Sequence, residues 1–343
     1  MVELIETLCR ANGVSGDERE VRELIKLEFE DTECDIETDS MGNLFVTKKG
    51  ESSGKTLLIT ANTDEIGFIV SGFTDSGYLK FKPVGNVSAG NIISKRVVVN
   101  TNTGKLKGVI GMKAIHLQKR EEREKESDIK DLFIDIGAVS KDEAEMRVAL
   151  GDYVSFDTEP CVMGRKIAAK ALSSRVPCAV LIEFIKNVKN NKYDICACFT
   201  SQKEVGARGA VIAAHRVKPY AAVIIDAVDS ADSYGIDEEK RAAYLGKGVI
   251  IKNADSRAIF NRELSERLYN GAKEQVISVQ RINAMNDIND FSDAKGIQTA
   301  AGGVDSVSVA IPVRYKNTPV SMADPDDARS AVKLLELFVN DMQ

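Results

Sequence analysis

Histidine is nearly missing from this sequence: 343 residues hold two, His116 and His215. An imidazole-rich metal shell is therefore excluded unless both converge on it, and neither lies in the acidic motifs described below. An excess of basic charge is also missing. Lys and Arg total 46 against 52 Asp and Glu, a net charge of −6, which argues against a general nucleic-acid binder with a basic face. No stretch approaches the roughly 18 apolar residues that a membrane span needs. The first residues, MVELIETLCRANGVSG, carry Glu early and lack a long apolar core; they read as an amphipathic helix rather than a signal peptide. There is no P-loop and no GxGxxG, and LGKG (245–248) is too short to stand for phosphate binding. No internal repeat or low-complexity tract occurs.

What is there describes an ordinary globular chain. Apolar residues make up 43% and charged residues 29%, and the length suits two domains or one large domain with an insertion. Six cysteines are scattered (Cys9, Cys34, Cys161, Cys178, Cys196, Cys198). Cys196 and Cys198 fall on one face of the strand-like run DICACFT, which reads as small core residues rather than a metal pair. Scattered cysteines read as core residues make a reducing, cytoplasmic location the default expectation.

Two helices are expected over 1–12 and 17–30, with Ser15 or Asp17 placed to cap the second. MGNLFVTKKG and KTLLITAN read as strands. Between about 70 and 165 the pattern becomes short β runs separated by Gly, Asn and Asp: GFIVSGF, GYLKFKPV, SKRVVVNT, KLKGVIG, DLFIDIGA and DYVSFDT. Such spacing predicts a small barrel or sandwich. The charge-dense KREEREKESDIKD (119–131) reads as an exposed loop or frayed helix. From 166 onward helices alternate with apolar strands, which implies an α/β layer around a buried sheet. The expected architecture is one α/β domain interrupted by an all-β insertion.

Three apolar strands end in acid. Asp64 and Glu65 follow TLLITAN, Glu204 follows the strand ending at Thr200, and Asp226 ends AAVIID. Ligands gather beyond the carboxyl ends of strands in open α/β sheets, so Asp64, Glu204 and Asp226 are expected at one place. Taken singly, each is an ordinary helix-cap or turn residue.

With these motifs the chain resembles the glutamyl, deblocking or tetrahedral aminopeptidase family of dinuclear metallopeptidases, some of whose members carry the label endoglucanase. The resemblance covers almost the whole chain, through VSGDE (14–18), MGNL (41–44), TDEIGFIV, GVIGMKAIHL, LFIDIGA, KALSSRVPCA, QKEVGARGA, LGKGVII, FSDAKGIQTA and IPVRY. It implies a discontinuous α/β peptidase domain (1–70 and 165–343) with an inserted β-barrel-like dimerisation domain (71–164). It also implies assembly into dimers and, in many members, dodecameric tetrahedra.

Carried over residue by residue, the same resemblance implies a damaged site. The family's first metal-binding His corresponds to Asn62, while the Asp that orients it is kept as Asp64. The bridging Asp corresponds to Ser173, followed by Ser174. The general-base Glu corresponds to Lys203, next to a kept ligand, Glu204. Asp226 keeps a second ligand position, and the last His corresponds to Asn317. Two cations a few Å apart need a bridging carboxylate to offset their repulsion. A serine hydroxyl carries no charge, an asparagine amide is a poor substitute for imidazole at zinc or cobalt, and a protonated lysine has no lone pair. Lys203 is expected to serve Glu204 and Asp226 as counter-charge. His116 matches a family His that is not a ligand, and His215 sits late in a helix; neither replaces the lost ones. Asp293, in FSDAKG, matches a family Asp near the substrate-binding region and is placed either to hold a peptide amine or to cap the next helix. A Ser–Lys nucleophile pair from Ser173, Ser174 and Lys203 has no nucleophile elbow to support it.

The resulting expectation is an aminopeptidase-fold protein with no cofactor, acting as an assembly partner of itself or an active relative, or as a peptide binder. The alternative is an altered metal-dependent aminopeptidase, releasing N-terminal residues with one or two divalent cations (Zn or Co). Neither nucleic acid nor membrane is an expected partner.

Overall fold

The apolar runs that end in acid lie side by side, buried along nearly their full length, in one large sheet. The computed structural model describes residues 1–52, 54–118, 127–238, 241, 243–282 and 291–342. Its strands are β1 (Asp35–Thr38), β2 (Leu44–Lys48), β3 (Thr56–Asn62), β4 (Gly67–Phe73), β5 (Leu79–Val84), β6 (Arg96–Thr101), β7 (Gly104–Met112), β8 (Leu132–Asp135) and β9 (Tyr153–Phe156). They continue with β10 (Cys161–Met163), β11 (Lys166–Ala169), β12 (Asp194–Thr200), β13 (Ala221–Asp229), β14 (Val249–Lys252), β15 (Val279–Ile282), β16 (Ser306–Arg314) and β17 (Ser321–Ala323). The helices are α1 (Val2–Arg10), α2 (Arg19–Leu27), α3 (Ala89–Ile92), α4 (Lys141–Arg147), α5 (Leu172–Asn187), α6 (Arg208–Val217), α7 (Arg262–Glu274), α8 (Ala294–Ile297) and α9 (Pro325–Asp341).

The large sheet runs β1-β2-β12-β3-β13-β16-β17-β11-β10, with β14 joined to both β15 and β16. Its centre is parallel: β12 on β3, β3 on β13, and β13 on β16. Parallel strands covered on both faces must be apolar on both, which explains their continuous runs. On one face Ile59, Ile225 and Val309 pack with Val176 and Val180 of α5 and Leu334 and Phe338 of α9. On the other, Leu58, Cys198 and Ile224 pack with Ala210 and Ala214 of α6 and with Ile297 of α8.

The six runs of the middle segment form a closed barrel in the order β4-β5-β8-β7-β6-β9, which decides between barrel and sandwich. Phe68 anchors its interior, with Phe81 at 4.8 Å and Phe156 at 5.4 Å in edge-on contact. Strands β10 and β11, just past the barrel, already belong to the large sheet. Most of the charge-dense segment, 119–126, lies outside the described residues; its end forms a 3-10 turn over Ile129–Asp131 capped by Asp128.

Several local expectations change. Neither Ser15 nor Asp17 caps α2: Glu18 is its N-cap residue and forms no side-chain cap bond. The helix after Asp293 is short, ending at Ile297, and the chain then turns through Ala301, Gly302 and Gly303, all at positive φ. Cys196 and Cys198, by contrast, are buried core residues as expected, and both are free.

Candidate functional site

Sheet register brings the acidic motifs together. Thr200 of β12 pairs with Asn62 of β3, and Ile225 of β13 pairs with Ala61, so Asp226 is level with both. The carboxyl edges of three parallel strands thus present Asn62, Thr200 and Asp226 in one row, and the loops beyond add Asp64, Lys203 and Glu204.

Asp64 is buried and held by three donors. Ser15 Oγ reaches its Oδ2 at 2.5 Å, the Glu204 N–H reaches the same oxygen at 2.8 Å, and Asn62 Nδ2 reaches Oδ1 at 3.0 Å. Burial, and then the nearby Glu204 carboxylate, push the Asp64 carboxyl above its ordinary range. Glu65 points away and belongs to a different cluster. It accepts from Lys170 Nζ at 2.6 Å and from the Gly13 N–H at 2.9 Å, with Arg175 at 3.6 Å. Lys170 and Arg175 also donate to the Ala11 and Leu8 carbonyls of the α1 end, and Arg175 donates to the Thr63 carbonyl. This buried network fixes the 62–65 turn against the N-terminal helix.

Two lysines serve the remaining carboxylates. Lys203 Nζ stands 3.2 Å from Glu204 Oε1 and 4.0 Å from Asp226 Oδ1, with the Phe291 ring at 5.6 Å. Lys252, buried at the end of β14, donates to Asp226 Oδ2 at 3.1 Å. Burial opposes ionisation of Asp226, but Lys252, Lys203 and Lys316 together hold its carboxyl well below the usual range. Lys316 Nζ also donates to the Ala227 carbonyl at 3.0 Å, which seats the 315–317 turn beside β13.

Asp293 does not cap α8 with its side chain. Its Oδ2 accepts from Thr200 Oγ1 at 2.5 Å, while its buried Oδ1 has no hydrogen-bond partner among the described residues. Burial is the main cause that pushes its carboxyl up to about 7; Asp64 and Asp226 add to it, and Thr200 and Lys203 oppose.

Ser173 is half-buried in the first turn of α5, behind Ala171 in a left-handed conformation. The same turns hold Cys178, whose Sγ reaches the Asn62 carbonyl at 3.3 Å. Asn317 is half-buried at φ 59° in the turn after β16. Arg314 is engaged by Asp232 through two bonds of 2.6 and 2.8 Å. His116 and His215 are exposed, one in a 3-10 turn and the other in the last turn of α6. Among the described residues no group of three or more His, Cys, Asp or Glu is arranged to hold a metal ion.

Two participants, Lys252 and Lys316, lie outside the quoted motifs, and two more, Lys170 and Thr200, lie in or beside them but were given no role. Lys252 left one trace, a charged residue closing an otherwise apolar strand (VIIK). The LGKG amides are already taken, since the Gly246 and Gly248 N–H groups donate to the Asp327 carboxylate at 2.7 and 2.6 Å.

Comparison with known proteins accounts for the whole architecture. The sequence pattern described as M42 glutamyl aminopeptidase matches residues 42–334. The lysyl aminopeptidase of Pyrococcus furiosus is 26% identical over 99% of this chain and 97% of its own. The aminopeptidase APDkam598 of the archaeon Desulfurococcus kamchatkensis is 30% identical, with a TM-score of 0.94 over 99% of this chain and 94% of its own. The TET1 peptidase of Pyrococcus horikoshii, which can assemble into a tetrahedron or a large octahedral shell, is 30% identical, with a TM-score of 0.86 over 98% of both chains.

Proposed function

We propose that this chain, which belongs to the M42 glutamyl aminopeptidase family, has exchanged the family's pair of cations for internal ion pairs and works as a non-catalytic assembly partner or peptide binder. The observation that carries this reading is the Lys203 ammonium, 3.2 Å from Glu204 and 4.0 Å from Asp226. It lies among the carboxylates that the family resemblance names as residual ligands. Asn62, Ser173 and Asn317, read as lost ligand positions, add only neutral oxygens. Such a donor set does not fit two divalent ions: it lacks a bridging carboxylate and already contains positive charge. Bound cations would supply Lewis-acid polarisation and an activated water. Nor does Lys203, while protonated, act as the general base that the family places there.

What remains is suited to holding a peptide without cutting it. The half-buried Glu204 carboxylate lies at the edge of the row of strand ends, where it could meet a peptide amine, with Asp293 buried behind it. Self-assembly is supported by the oligomeric relative and by exposed apolar side chains beside the barrel, Val139, Met146 and Leu150. We assign that role to the inserted segment 71–164, and place the protein in the cytoplasm on its free cysteines.

A second reading, a weak aminopeptidase using one cation, draws on the unpartnered Asp293 Oδ1 and on Glu204. Metal analysis of purified protein, with an aminoacyl-p-nitroanilide assay in added zinc, cobalt or manganese, tests both. Two bound metals with robust turnover would overturn the first reading. One bound metal with slow turnover would favour the second.

A further inference from the structure

Lys252 carries more than its place in the ion-pair network. It lies one residue past the LGKGVII landmark and corresponds to none of the family's ligand positions. Its side chain is fully buried. Register shows how it reaches Asp226. Lys252 of β14 pairs with Ser308 of β16, and Ala310 of β16 pairs with Asp226 of β13. Strand β16 therefore lies between the two, and alternation puts Ser308, Ala310, Lys252 and Asp226 on one sheet face. The residues on that stretch of β16 are small, whereas Val307, Val309 and Ile311 fill the opposite face. Ser308 and Ala310 make a low shelf over which a four-carbon stem crosses to the neighbouring strand. Ser308 Oγ itself is buried without a hydrogen-bond partner among the described residues, as suits a shelf shaped for an aliphatic stem.

The two oxygens of Asp226 are thus addressed by different lysines, Oδ2 by Lys252 at 3.1 Å and Oδ1 by Lys203 at 4.0 Å. We infer that Lys252 is a second internal cation of this site, filling the place at Asp226 Oδ2 that a divalent ion would need. The inference rests on the proposed loss of the cation pair. It adds that the four changes visible in the motifs are not the whole of that loss. Restoring Asn62→His, Ser173→Asp, Lys203→Glu and Asn317→His rebuilds the donors, yet leaves a buried ammonium on one of them. Charge repulsion across a few Å of poorly solvated space then opposes the second divalent ion.

Zinc titration calorimetry on three proteins tests this: the natural chain, the fourfold variant, and the fourfold variant with Lys252→Met, which keeps the stem and removes the charge. The expected result is no tight site in the natural chain, one zinc ion in the fourfold variant, and two in the fivefold variant, the second at least tenfold tighter than in the fourfold protein. Two equally tight sites in both variants would overturn the role of Lys252 while leaving the proposed function standing. Two tight sites in the natural chain would overturn the proposed function itself. If the fivefold protein does not fold, a double-mutant cycle in the natural chain decides, using Lys252→Met, Asp226→Asn and both together. Each single change is expected to lower Tm by at least about 5 °C, and the pair by less than the sum. Simple additivity would overturn the inference.

Discussion

Ser15 Oγ and the Glu204 backbone N–H meet on the same oxygen of Asp64, at 2.5 and 2.8 Å. A residue of the N-terminal segment and the loop after β12 are therefore tied together through one buried carboxylate. Ser15→Ala removes a donor and leaves that carboxylate partly unsatisfied, a loss of about 1–3 kcal/mol. Urea unfolding should show a lower midpoint with unchanged slope. An unchanged midpoint would mean that the Ser15 bond contributes nothing.

Asp293 predicts a definite pH dependence. Its carboxyl is pushed up to about 7 in the fold, from an ordinary 3.8, so the native state holds a proton that the unfolded chain has released. Its contribution to stability is fully present below about pH 4 and is lost as pH rises toward 7. A shift of this size corresponds to stability on the order of a few kcal/mol. Asp293→Asn should flatten that part of the profile, and melts at pH 5 and pH 8 in both proteins test it. Parallel profiles would remove Asp293 as the source.

Chelation gives the complementary prediction. On the proposed reading Lys203 and Lys252 stand in place of the ions, so EDTA should leave Tm unchanged and added zinc should not raise it. Ligand binding to the native state would raise Tm with concentration. A zinc-dependent rise of several degrees would contradict the ion-pair reading.

The Glu65 cluster should be the costliest place to break one side of a pair. Lys170→Met leaves Glu65 buried beside Arg175 alone, and removing one member of a buried pair typically costs about 3–5 kcal/mol. Chemical denaturation measures it. A loss below about 1 kcal/mol would show that Arg175 suffices.

Much of this fold could be read before the structure because the physics is local. Alternating helices and apolar strands marked the α/β layer, and the six short runs marked the barrel. Short strands such as DIET and SMA escaped notice because they are edge or connecting pieces with no periodicity of their own. The site was legible where its residues sit in motifs: Asp64, Glu204 and Asp226 do come to one edge. Their partners were not, because pairing across strands depends on register. Lys252 is 26 positions from Asp226 and meets it only over β16. Ser15 and Asp293 looked like helix caps by residue type, yet tertiary hydrogen bonds to Asp64 and Thr200 claim them instead. LGKG, too short to stand for phosphate binding, gives its Gly246 and Gly248 amides to the chain's own Asp327.

The barrel also reaches this site. Gly85, in the turn just after β5, has φ 82°, and a Cβ there would come within 2.8 Å of Ile66 and 3.3 Å of Glu204 Oε2. One wall beside Glu204 is therefore lent by the inserted segment, and it tolerates no side chain. The barrel turn and the strand-end carboxylate therefore share one contact, so a side chain added at position 85 would be felt at Glu204.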